Sequence, residues 1–128
     1  MRGAWALGMA MVLALVASGA AFEDPHGIGY DGHDWKVMSE QAKLAYIAGF
    51  LAGTATQQAI AARRANPKIS IDAAVSGIVR AHTGTFPFGV SVYKNDLDDY
   101  YFYSNNLSTK IYSALIGENA GMLKNAPK

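Results

Sequence analysis

Apolar residues recur through the middle of the chain with the period of a helix. Leu44, Ile47, Ala48, Leu51 and Ala55 fall at i, i+3, i+4, i+7 and i+11, one continuous stripe on a helical surface. Ser39 stands where an N-cap belongs and Asn66-Pro67 ends the run, so a long helix is predicted from there to about Arg64. Tyr46, Phe50 and Gly53 widen its apolar arc, which places it centrally. Ala45, Gly49, Ala52, Gly53 and Thr56 line one side with small side chains, so a neighbouring helix is expected to pack closely there.

The pattern shortens after Pro67. Ser70 or Asp72 caps a second helix whose inner face carries Ile71, Val75, Ile78, Val79 and His82, and Gly84 suits its C-terminal cap. A third helix is expected from about Ser91 to Tyr103, with Tyr93, Leu97, Tyr100 and Tyr101 inward. Phe86, Phe88, Val90 and Val92 alternate as a short strand would, but Pro87 weakens that reading and no second strand offers itself as partner. Asn106 or Ser108 caps a last helix carrying Ile111, Leu115 and Ile116. Residues 22–36 are rich in Gly and Asp without an apolar period and read as an N-terminal arm. The expected fold is all-α, a small bundle of about four helices over residues 37–128.

Met1 to Ala21 has the anatomy of a secretory signal peptide. Arg2 is its positive end, Ala4 to Ala17 is uncharged and mostly apolar, and Ser18-Gly19-Ala20 or Gly19-Ala20-Ala21 supplies a small-residue cleavage site. The apolar run falls short of the ~20 residues a spanning helix needs, so no stable membrane anchor is expected. The destination is periplasmic or secreted. Arg2 is the only charged side chain removed, which leaves the mature chain close to neutral.

Composition narrows the function classes. With 128 residues there is room for one domain, and 51% hydrophobic content excludes disorder throughout. A net charge of +1 excludes the broad basic surface that nucleic-acid binding needs. The absence of Cys removes disulfides, thiolate metal sites, thiol nucleophiles and c-type haem attachment, so stability must come from packing. No sequence motif implies a cofactor or assigns a catalytic residue.

Several local patterns invite a chemical reading. Gly27-Ile28-Gly29-Tyr30-Asp31-Gly32 spells G-x-G-x-x-G, but no strand precedes it, so the dinucleotide-binding reading is rejected. Asp24, His26, Asp31, His33 and Asp34 crowd together, and imidazole with carboxylate suits Zn, Cu or Ni. The metal reading uses His26, His33, Asp31 and Asp34. His82 reads as a partly buried histidine at a helix end, facing the dipole, rather than as a catalytic base. Arg63, Arg64 and Lys68 form a basic cluster too small for a nucleic-acid footprint.

The most unusual stretch is Asp96-Leu97-Asp98-Asp99-Tyr100-Tyr101-Phe102-Tyr103. Four consecutive aromatics sweep about 300° of a helix, so either a ring is exposed or the helix ends within the run. Exposed Tyr beside acidic residues suits a protein-binding patch, which selects Asp98, Asp99, Tyr101 and Tyr103 as contact residues.

Tyr46-Ile47-Ala48-Gly49-Phe50, Pro87-Phe88-Gly89-Val90-Ser91, Tyr100-Tyr101 and Ala114-Leu115, ordered behind a signal peptide, resemble small exported immunity proteins of the Tai type. That family neutralises peptidoglycan-amidase effectors of type VI secretion. This chain departs from the many relatives that carry Cys, and Ile71 to His82 has no counterpart. The resemblance implies an inhibitor of an envelope hydrolase. The leading expectation is therefore an exported, non-enzymatic module that binds a protein partner. The second is a periplasmic metal or small-ligand binder using the His- and Asp-rich arm.

Overall fold

A computed structural model describes residues 29–127. The signal-peptide stretch, Asp24 and His26 lie outside the described residues. Among the described residues five α-helices follow one another: α1 (Gly32–Val37), α2 (Glu40–Ala65), α3 (Ile71–Ala81), α4 (Val90–Tyr100) and α5 (Ile111–Asn125). A 3-10 turn, Ser104–Asn106, lies between the last two. The fold is a small all-α bundle, with α2 packed against α3 and α4, and α4 against α5. Its nearest approach to a strand, among the described residues, is one bridge between Asp31 and Lys110. Phe86 and Phe88 lie in the loop before α4.

Side-chain caps set the starts of α1, α2 and α3. The Ser39 hydroxyl accepts from Ala42 N at 3.2 Å, and the Ser70 hydroxyl from Ala73 N at 3.4 Å. Helix α3 ends on His82, not at Gly84. His82 takes the left-handed conformation (φ 52°), while its own N–H and that of Thr83 reach back to Val79 O and Ile78 O. That pair of bonds is the Schellman pattern, usually given to Gly and open to His at some strain. Helix α5 starts after Lys110 rather than after Asn106 or Ser108. Asn106 instead donates its amide to Tyr100 O at 2.8 Å within the preceding turn.

The largest correction falls on the expected arm. From Gly29 onward those residues belong to the bundle. Asp31 caps α1 by accepting from His33 N at 2.9 Å and Asp34 N at 3.4 Å, while Asp34 accepts from Asp31 N at 2.9 Å. The six-residue helix exists to deliver Trp35, which is fully buried with Ile47, Tyr93, Leu97, Tyr101, Ile111 and Leu115. Backbone bonds lock it in place: Gly32 N donates to Leu107 O, and Ile111 N to Tyr30 O, both at 2.9 Å.

A second correction concerns α2. Among the described residues its small-residue side has no partner: Ala45, Gly49, Ala52, Gly53 and Thr56 are all exposed, and a Cβ built at Gly49 or Gly53 meets none of those residues within 4 Å. The helix buries Ile47, Ala55 and Ala59 instead. Its larger side chains do the packing. The Phe50 ring meets Phe86 edge-on at 4.9 Å, and Phe86 and Phe88 each meet Tyr93 at 5.9 Å. Among the helix faces expected to be inward, Val79 and Ile116 lie outward.

Two glycine substitutions are expected to act in opposite directions. A Cβ at Gly32 would run into the Tyr101 ring and stand 2.8 Å from the Leu107 Cα, where backbone cannot yield. Gly32→Ala is expected to destabilise by about 1–3 kcal/mol through overpacking. Gly49→Ala, in an exposed helix interior, is expected to stabilise by about 0.5–1 kcal/mol. Urea unfolding of both variants checks the two signs.

Candidate interaction site

Helix α4 ends inside the aromatic run, and that decides where each ring goes. Tyr101 is the C-cap, after which the chain turns through Ser104–Asn106. Tyr101 is fully buried, and its hydroxyl donates to Thr109 O at 2.9 Å. Burial raises its phenol well above the ordinary tyrosine value, with Tyr100 adding to the effect. Tyr100 is half-buried and packs edge-on against it, with centroids 5.0 Å apart.

Phe102 and Tyr103 point the other way. They are 76% and 63% exposed, and their rings meet at 90° with centroids 5.5 Å apart. Below them the turn is tied down by Asn106, whose N–H donates to Tyr103 O at 3.1 Å, and by Leu107 N, which donates to Ser104 O. Two large apolar rings thus stand in water on a hydrogen-bonded stem. Asp99 is exposed, and its carbonyl accepts from Phe102 N at 3.3 Å.

Of the four contact residues selected from sequence, Asp99 and Tyr103 are on the surface, whereas Asp98 and Tyr101 serve the fold. Asp98 Oδ1 accepts from the Trp35 indole at 2.8 Å and from Lys43 Nζ at 2.6 Å. Its Oδ2 pairs with Lys94 at 2.9 Å, and Lys94 also reaches Glu40. Burial opposes the Asp98 charge, but the bonds from Lys43, Lys94 and Trp35 outweigh it and hold the carboxyl below its ordinary range. Phe102 was missed. The surplus of rings in the run was the only signal, and it could not single out Phe102.

Both carboxylates of the metal reading serve a helix cap. Asp31 and Asp34 are engaged in the α1 capping box, with His33 Nδ1 at 3.4 Å from Asp31 Oδ1. Among the described residues no three His, Cys, Asp or Glu side chains are grouped to hold a metal ion. His82 is exposed rather than partly buried, and its Nδ1 lies 2.8 Å from Pro87 O. Among the described residues, no helix is long and apolar enough to cross a membrane.

One acidic pair was not anticipated. Glu118 on α5 interacts with Asp96 on α4, whose buried Oδ2 has no hydrogen-bond partner among the described residues. Burial first, then the Asp96 charge, raises the Glu118 carboxyl above its ordinary value. No protein-family model, curated protein or solved structure matches the chain, so the reading of these sites rests on its own residues.

The two carboxyl sites give opposite pH limbs. Asp98 is depressed on folding, so its stabilisation is present above its unfolded value near 3.8 and is lost as pH falls through the folded value. Glu118 is raised, so its stabilisation is complete below 4.5 and is lost as pH rises through the folded value. Asp98→Asn is expected to remove the first limb and cost about 1–3 kcal/mol near neutrality. Glu118→Gln is expected to flatten the second. Urea unfolding across the acid-to-neutral range checks both.

Proposed function

We propose that this chain is an exported, non-enzymatic protein-binding module that docks its partner through Phe102 and Tyr103, with Asp99 beside them. The observation that carries the reading is the exposed, edge-on pair of rings on a hydrogen-bonded stem. Aromatic side chains dominate the centres of protein interfaces, and a stem already in place reduces the ordering cost of binding.

Export is proposed from Met1–Ala21, to the periplasm or beyond the cell. The resemblance to Tai-type immunity proteins gives the partner class, an envelope hydrolase held inactive by binding. Sequencing the N-terminus of the chain recovered from the envelope is expected to begin at Ala21 or Phe22. Recovery beginning at Met1 would remove the proposed processing.

The docking surface is tested with the tagged chain and its Phe102→Ala/Tyr103→Ala variant, each incubated with envelope extract of the source cell. The native chain is expected to retain one stoichiometric protein. The variant, with an unchanged helical circular-dichroism spectrum and melting curve, is expected to bind it at least about tenfold more weakly. Equal retention by the folded variant would exclude this surface.

A further inference from the structure

A cavity of about 140 Å³ lies between α2, α3 and the loop that joins α3 to α4. Leu51 and Ala55 of α2, Ile78 and Val79 of α3, and Phe86 and Phe88 of the loop form its apolar walls. Among the described residues that line it, none is Asp, Glu, Lys or Arg. A charged guest would therefore meet no counter-charge from an acid, lysine or arginine in the lining. An apolar void of this size is close to the ~150 Å³ that takes up a benzene ring.

The loop is fastened from three sides rather than draped. Thr85 N donates to Gln58 Oε1 of α2 at 3.0 Å, and Thr85 O accepts from Asn119 Nδ2 of α5 at 3.0 Å. Pro87 O lies 2.8 Å from Nδ1 of His82, at the end of α3. Three separate elements therefore hold the roof backbone away from the walls. A pre-formed apolar chamber with a few polar groups at its boundary is the anatomy of a small-ligand site.

Those same bonds define what polarity a guest meets. Pro87 O can only accept, so His82 Nδ1 carries a proton, and in the neutral ring Nε2 is left as an acceptor. Gln58 and His82 both line the cavity. The Gln58 carbonyl is engaged by Thr85, which leaves its amide group as donor. Thr54, the remaining hydroxyl in the wall, donates to its own helix at Leu51 O. These lining side chains thus keep acceptors on His82 and Thr54 and a donor on Gln58, so a single hydroxyl can donate to one group and accept from another.

We propose that this cavity is a binding site for a small neutral molecule of one aromatic ring bearing one hydroxyl, a monocyclic phenol in chemical class. It is separate from the surface at Phe102 and Tyr103, and does not depend on the protein-binding reading.

The test is titration of the full chain with phenol, with benzene and benzoate as comparators, followed by amide shifts in two-dimensional NMR. Phenol is expected to shift cavity-lining amides saturably, with benzene about tenfold weaker and benzoate without effect. Ala55→Leu fills the chamber and is expected to abolish binding while the chain still melts cooperatively. Leu51→Phe carries the same expectation should Ala55→Leu fail to fold. His82→Asn tolerates the left-handed backbone, removes the imidazole acceptor, and is expected to bring phenol down to the affinity of benzene. Absence of saturable shifts at the cavity, equal affinity for phenol and benzene in the native chain, or undiminished binding in the filled variant would each overturn the proposal.

Discussion

The indole N–H of Trp35 is carried into the core and must find an acceptor there, and Asp98 supplies it. A carboxylate half out of water needs positive charge in turn. Lys43 comes to it from α2 and Lys94 from one turn earlier on α4, and Lys94 extends the link to Glu40 at the start of α2. One carboxylate therefore ties together α1, α2 and α4. Lys43 also stands 5.1 Å from the centre of the Trp35 ring, so its charge serves the indole face as well as the acid. The rotation of α4 that presents Asp98 to Trp35 also turns Tyr93 and Leu97 into the core.

That rotation explains why the acidic-aromatic run divides as it does. With Leu97 and Asp98 fixed, Tyr101 follows one turn after Leu97 and falls inward, beside the Trp35 ring at 6.3 Å. The helix stops there, and the next two rings leave the helical phase. The exposed pair is thus a by-product of burying Tyr101, and it stands on the turn that leads to Thr109, where the Tyr101 hydroxyl is seated.

Legibility in the sequence followed the length of each pattern. Helix α2 was readable because its apolar stripe repeats over several turns and its ends carry ordinary stop signals. The period gave its axis and its arc but not which neighbours would take which side, so the small-residue flank was assigned a partner that the fold does not place there. Helix α1 is shorter than two turns, too short for any period to appear. Its only signals were Asp31 and Asp34 at capping-box spacing and a lone Trp35, and the surrounding glycines masked them. At Tyr100–Tyr103 the sequence required the rings to part company. Which ring went which way depended on where the helix ended, and that was set by contacts to Thr109 and Asn106, residues outside the run. The cavity beneath the α3–α4 loop had no linear signature, because its walls come from three segments.

Asn119 carries a consequence for the order in which this molecule assembles. It is buried in α5, accepts from the Tyr93 hydroxyl at 2.6 Å and donates to Thr85 O, 34 positions earlier in the chain. Helices α2 and α3 and the loop after them are all synthesised before Asn119 exists. They can collapse on one another through local contacts, but the loop gains its fastening to α5 only when the last helix docks and closes that long span. The loop over the chamber is therefore held to its own neighbours by Gln58 and His82, and to the last helix of the bundle through Asn119.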